Sequence, residues 1–410
     1  MALDGYSSEE ARRLYESAET LADRLGQAEQ IFNARLGLET YFHMRGEFDR
    51  AMRLARSCRD MAIRAHRRRA GEDASAQRDS DKMALAKSNW AIGAIHFHRG
   101  EFDRAMTHLA RCLRYCESVA AERRSALQDP VVMCRVYRSW HAWERGRADD
   151  ALRSVEDTVA HAEGSTQAFS LGVALAFNAC IRLFRREYEQ TIERASRCMA
   201  ICERAGFRTW LAWAMIIRGR ARCENPADRR GGFADLEEGL RIWNDVGAIV
   251  TRPFSETLLA EAYLLDGQVD KALASVRGAL ATIERHGERY YEPEIHRVHA
   301  LALLRSAREA DGASSLAEGR VAQAEASLRR AIDIAAARGM TSSVLRSNID
   351  LARLHRDTRR ANGAPERQAT NELEAAVAAI EQAENNIDVG QARELLRALQ
   401  ERRASPSTAR

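Results

Sequence analysis

Arg99-Gly100-Glu101-Phe102-Asp103-Arg104-Ala105 repeats, almost letter for letter, Arg45-Gly46-Glu47-Phe48-Asp49-Arg50-Ala51. Looser copies follow at Arg145-Gly146-Arg147-Ala148, Arg185-Arg186-Glu187-Tyr188, Asp266-Gly267-Gln268-Val269 and Glu318-Gly319-Arg320-Val321, with a degenerate one around Gly232-Phe233. The phrase has a physical reading. Glycine ends a helix, because it enters the left-handed region without steric cost. The acid opens the next helix, where a carboxylate meets free amides and a favourable dipole. The following aromatic or aliphatic residue packs back on the first helix, and the alanine three further on lets the two approach. Helical periodicity flanks each copy: Trp90, Gly93, Ile95 and Phe97 precede Gly100, and Ala105, Leu109, Cys112, Leu113 and Cys116 follow it. Such spacings of three and four place an apolar stripe on each helix.

The phrase therefore predicts helical hairpins in tandem. This is the tetratricopeptide signature, and the chain resembles that repeat family. Its minimal unit is about 34 residues; Gly46, Gly100 and Gly146 lie further apart than that, so longer helices and loops are expected. The predicted fold is all-α, a right-handed superhelical solenoid of about eight antiparallel hairpins. One array is expected over 1–402, with a capping helix in 1–26, repeats over 27–400 and a disordered tail at 403–410. Loops are expected at 71–82, 128–130, 163–167, 225–232, 311–319 and 359–370, where turn-forming residues gather.

Composition narrows the function classes. Basic and acidic residues number 63 and 59, for a net charge of +4, which gives no strong attraction to nucleic acid or a membrane. No long apolar run is present, so no transmembrane helix is expected. The 8 cysteines form no C-x-x-C pair, and a reducing, cytoplasmic setting is expected.

Candidate chemistry is sparse. His96 and His98 lie two apart on one helix, so they face different sides and do not share a metal ion. Cys112, Cys116 and His108 share a face, but Cys58, Cys112 and Cys198 occupy one small-residue packing position in three hairpins, where Ala279 and Ala331 also fall. Buried thiols there behave as small hydrophobes. Glu288, Glu292, Glu294 and His296 lack an accompanying nucleophile and are read as solvated or paired. Arg64, Arg67, Arg68 and Arg69 are followed at once by Glu72 and Asp73, as at a solvated helix end. No catalytic residue, metal site or cofactor is predicted. The aromatic residues Trp90, Tyr137, Trp140, Trp143, Trp210 and Trp213 sit on the first helices of hairpins and are the candidate partner-binding lining, tryptophan being favoured at binding hot spots.

A closer resemblance rests on dispersed motifs: Trp140-His141-Ala142-Trp143, Phe169-Ser170-Leu171, Gly206-Phe207 with Trp210, Leu258-Leu259-Ala260-Glu261-Ala262, Gly287-Glu288-Arg289 with Glu294-Ile295-His296-Arg297, and Asn386-Ile387-Asp388. Over roughly 85–400 these resemble the C-terminal tetratricopeptide region of bacterial proteins that carry an adenylate/guanylate cyclase domain and an AAA-type ATPase. The chain has no G-x-x-x-x-G-K-[ST] loop and no cyclase segment, so neither activity carries over. The resemblance implies a non-catalytic scaffold or sensor in signal transduction that binds a protein or peptide, including a cyclase or ATPase in cis or in trans. The alternative is the inducer-binding domain of an ATPase-type transcription regulator.

Overall fold

The computed structural model describes residues 8–68, 75–119, 129–164, 167–310, 315–358 and 364–404. Among them lie eighteen helices and no strand. A leading helix, α1 (Glu9–Arg24), is capped by Ser8, whose hydroxyl accepts from Ala11 N. Then come α2 (Ala28–Met44), α3 (Phe48–Arg68), α4 (Ser75–His98), α5 (Phe102–Glu117), α6 (Pro130–Glu144) and α7 (Ala148–Glu163). They are followed by α8 (Ala168–Phe184), α9 (Tyr188–Ala205), α10 (Arg208–Arg222), α11 (Arg229–Asp245), α12 (Arg252–Leu265) and α13 (Val269–His286). The chain ends with α14 (Glu292–Glu309), α15 (Ser315–Ala337), α16 (Thr341–Thr358), α17 (Ala364–Ala378) and α18 (Ile387–Ala404). Helices 2 to 17 thus succeed one another as pairs, a tetratricopeptide-like order. No described helix is long and apolar enough to cross a membrane.

Two compact units result. Met1–Ser139, Arg153–Ser255 and Thr282–Tyr290 form the first, and Trp140–Leu152, Glu256–Ala281 and Tyr291–Arg410 the second. In the first, consecutive helices α1 to α5 and α8 to α11 lie side by side, and α2 also touches α4, as α8 touches α10. In the second the same holds for α14 to α18, with α14 touching α16.

The turn phrase works as its glycine predicts. Gly46, Gly100, Gly146 and Gly267 all have positive φ, and the next residue's amide reaches back five residues: Glu47 N to Phe42 O at 2.9 Å, Glu101 N to His96 O at 2.9 Å. This closes the free carbonyls of the first helix. Arg186 occupies the glycine position at φ 60° with the same bond, Glu187 N to Arg182 O at 3.0 Å, at a backbone cost that glycine would not incur. The alanine position is fully buried in Ala51, Ala105, Ala151, Ala272 and Ala324.

Three local expectations are corrected. The phrase's acid does not cap the next helix: neither Glu101 nor Glu187 bonds an amide. Glu101 pairs with His96 and Arg104, and Glu187 with Arg182 and Arg185, so the carboxylate clips the two helices through side chains. Gly319 and Gly232 are not turns, since they lie in the first turns of α15 and α11. At Gly232 the requirement is close approach. A Cβ there would meet Gly219 O at 2.7 Å and Cys223 N at 2.9 Å, and one at Gly219 would meet Gly232 O at 2.6 Å, so α10 and α11 touch through backbone. The loops expected at 71–82, 311–319 and 359–370 are shorter, because α4, α15 and α17 start at Ser75, Ser315 and Ala364. Arg69, Glu72 and Asp73 lie outside the described residues, as does the tail from 405 onward.

Contacts between segments about two hundred residues apart stitch each unit. In the first, Met44 O at the end of α2 accepts from Ile249 N (2.7 Å) and Val250 N (3.1 Å), and His98 O at the end of α4 accepts from Arg289 N (2.7 Å) and Tyr290 N (3.2 Å). In the second, Ser342 Oγ donates to Trp143 O at 2.5 Å. The Gln382 amide oxygen accepts from Asp149 N and Asp150 N at 3.0 and 3.1 Å, satisfying the first turn of α7 from the far end of the sequence.

Candidate functional site

The second unit carries a cleft of about 1120 Å³ at the C-terminal ends of α12, α14 and α16 and the start of α15. Its form follows from helical spacing. Leu301, Leu304, Arg305 and Arg308 stand three and four apart on α14, and Asp350, Arg353, Leu354 and Asp357 repeat the interval on α16. Each helix therefore offers one stripe in which leucine alternates with charge. Leu264 and Leu265 close one side from α12, and Val321 closes another from α15. Leu265 is 37% exposed, an apolar surface left facing water. Around this floor Arg308 pairs with Asp357 at 3.1 Å and Arg353 with Asp350 at 3.2 Å, whereas Arg305 has no ion pair among the described residues.

A buried ionic core holds α14 and α16 beneath the cleft. Arg297 is enclosed by Glu294 (2.9 Å), Asp350 (3.0 Å) and Glu261 (3.2 Å). Arg346 binds Glu294 at 3.1 Å, and Arg338 binds Glu292 at 2.7 Å. Nearby, burial and the Glu294 charge push the Glu144 carboxyl up to about 8, against the hydrogen bond donated by Ser343 Oγ. Glu292 and Glu294, expected to be solvated or paired, are thus paired and buried, and Asp350, which lines the cleft, is fixed from below by Arg297.

Glu288 belongs to a buried knot in the first unit. Its Oε1 accepts from Thr251 N at 2.7 Å and lies 3.6 Å from His98 Nδ1, while His98 Nε2 meets the Tyr137 hydroxyl at 3.0 Å. Burial raises the Glu288 pKa from 4.5 to about 8 and lowers that of His98. Folding thus retains a proton on Glu288 that the unfolded chain has lost. Its contribution to stability is complete below about pH 4.5 and is lost as pH rises through about 8, whereas that of neutral His98 is lost as pH falls. Glu288→Gln keeps an acceptor for Thr251 and removes this titration. Melting curves should show the variant gaining on the native chain as pH rises from 5 to 9; a constant difference would mean that the carboxyl is ionised throughout.

The aromatic candidates are mostly packing. Trp213 lies between Phe177 (5.8 Å, 22°) and Phe254 (5.2 Å, 16°) and is 3% exposed. Trp140 meets Tyr291 edge-on, and Trp143 and Tyr137 are buried. Trp90 and Trp210 keep half-buried rings, the latter beside Phe169 and Phe177. The structure brings Trp210 and Trp213 together on Phe177. His96 and His98 diverge, to Glu101 and to Tyr137. All eight cysteines are buried free thiols, and Cys198 donates to Gly172 O at 3.2 Å. The leucine cleft was missed in the sequence because leucines at helical spacing look the same on a floor and in a core. Only Arg305 and Arg308, in register with Leu301 and Leu304, mark the difference.

Hairpins in tandem with a cleft at the ends of their first helices define an all-helical, tetratricopeptide-like protein. No family model matches the chain. A curated protein of Rhizobium meliloti (strain 1021), itself described as uncharacterized, is 24% identical over 356 residues, covering 85% of this chain and 32% of that protein. The chain therefore spans about a third of the length of this relative. Among solved structures, a Rap protein complexed with Competence and Sporulation Factor aligns with TM-score 0.54 at 10% identity, over 92% of this chain and 99% of that one. Aspartyl phosphate phosphatase F from Bacillus subtilis aligns with TM-score 0.47 at 11% identity, over 76% and 74%. The first of these likenesses shows the fold.

Proposed function

We propose that the chain is a non-catalytic protein-interaction module of bacterial signal transduction, and that the second unit's cleft holds an amphipathic segment of its partner. The observation that carries this is the cleft itself: an accessible leucine floor with Arg305 and Arg308 set one turn apart on its edge. Apolar residues at helical spacing on the partner would enter the floor, and acidic residues beside them would meet the arginines. At about 1120 Å³ the cleft lies at the upper end of the roughly 300–1,000 Å³ usual for small-molecule sites, and its exposed floor edged by charge, with Leu265 facing water, favours a peptide over an inducer. The resemblance to the regions that follow cyclase and ATPase domains supports a signalling context. On this reading the partner is such a cyclase or ATPase, in cis or in trans. Trp90 and Trp210 remain candidate contacts in the first unit; Tyr137, Trp140, Trp143 and Trp213 serve the core.

Selection of peptides from a random displayed library on the intact chain tests this. The expected binders carry apolar residues at i, i+3/i+4 and i+7 with flanking acids. Leu304→Glu should weaken them at least tenfold, about 1.4 kcal/mol, at an unchanged melting temperature. Equal binding to native chain and variant would refute the cleft assignment.

A further inference from the structure

We propose that α3, α4 and α5 of the first unit form a second binding site, which takes a phosphoryl group, free or as a monoester. Arg104, Thr107, His108 and Arg111 fall three and four apart on α5, so they share one face. Arg56 comes from α3 and His96 from the last turn of α4, and together they surround a cavity of about 410 Å³. That is the scale of a small-ligand site. It shares no lining residue with the leucine cleft, which belongs to the other unit.

The electrostatics call for an anion. Arg56 and Arg111 have no ion pair among the described residues. Arg104 bonds Glu101 Oε2 at 3.0 Å, and the same oxygen takes His96 Nδ1 at 2.8 Å. Arg59, on α3, pairs with Asp60 at 3.4 Å. Three guanidinium groups, of Arg56, Arg104 and Arg111, thus line the cavity, and Arg59 is near enough for its charge to act on His108, while Glu101 and Asp60 are already engaged.

His108 senses this field. Its Nδ1 lies 3.0 Å from Asn89 Oδ1, and Asn89 Nδ2 donates to Leu85 O at 2.8 Å. The asparagine oxygen is therefore the acceptor, and His108 donates from Nδ1, leaving Nε2 for another partner. The ring stacks on His96 at 5.8 Å and 20°. Burial, then Arg111, His96, Arg59 and Arg56, draw the His108 pKa down to about 4. A dianion among these cations would cancel much of that repulsion and draw a proton onto His108.

Arginine forks match the oxygen spacing of phosphoryl groups and form paired bonds to them, and the Thr107 hydroxyl adds a neutral donor. A dianion also matches this excess of charge better than a carboxylate does.

Calorimetric titration of the intact chain at low ionic strength with inorganic phosphate, O-phosphoserine and serine tests the site. Phosphoserine is expected to bind and serine not. Tighter binding of phosphoserine than of phosphate assigns a monoester, and the reverse order assigns the free ion; both support the site. Arg56 and Arg111 are exposed, so the Arg56→Gln/Arg111→Gln double variant should fold normally and bind at least tenfold more weakly. By NMR, the His108 titration should move up from about 4 when phosphoserine is present. No binding at millimolar ligand, or equal binding by the double variant, would overturn the proposal.

Discussion

Arg297→Met should destabilise the second unit by about 3–5 kcal/mol, the range for removing one partner of a buried ion pair. Methionine matches the apolar stem and fills most of the volume, so little of the loss comes from a cavity. What remains is charge: Glu294, Asp350 and Glu261 face Arg297 within 3.2 Å, and Glu294 and Asp350 are themselves buried. Without Arg297, Arg346 still holds Glu294 at 3.1 Å and Arg353 still holds Asp350 at 3.2 Å, but the charge that joins the acids is gone. Adding Glu294→Gln to Arg297→Met should recover part of the loss, because one stranded carboxylate disappears. Thermal unfolding followed by circular dichroism measures both. A melting temperature unchanged by Arg297→Met would mean that water reaches this core.

Trp213→Ala should cost a similar amount in the first unit, about 3–5 kcal/mol for a large aromatic in a packed core. The indole lies nearly parallel to both Phe177 and Phe254, with Trp243 6.1 Å away, so alanine opens a void with flat walls that cannot collapse. Trp213→Phe should cost less, since it preserves one stacked ring. The same measurement separates two roles for this residue. Were Trp213 a partner contact, alanine would leave stability intact and weaken binding alone.

The hairpin order was legible because its determinants are local. Gly100 with positive φ, Phe102 behind it and Ala105 against the neighbouring helix lie within six residues. Cys58, Cys112 and Cys198 revealed a packing position by recurring at one place in the repeat, and all three are fully buried. Gly319 misled because local composition does not distinguish a turn glycine from one tolerated in an open helix face, where an added Cβ meets nothing within 4 Å. Indoles at helical spacing misled more deeply, since periodicity reports which residues share a stripe and not whether the stripe faces solvent or another helix.

The rest was not legible because it is long-range. Nothing near Met44 indicates Ile249, and nothing near His98 indicates Arg289. Arg297 and Asp350 meet across 53 residues, each inside a helix that also carries exposed charges such as Arg308 and Asp357. The cleft and its ionic support depend on such pairings. Glu294 and Arg297 were visible as charges on a helix, but their burial was not.

Amide hydrogen exchange on the chain with and without a cleft-selected peptide tests the central claim most directly. If the second unit's cleft is the partner site, exchange should slow within 301–308 of α14 and 350–357 of α16, and the Leu304→Glu variant should show no slowing. Protection confined to the first unit, or protection in the second that persists in the variant, would contradict the account.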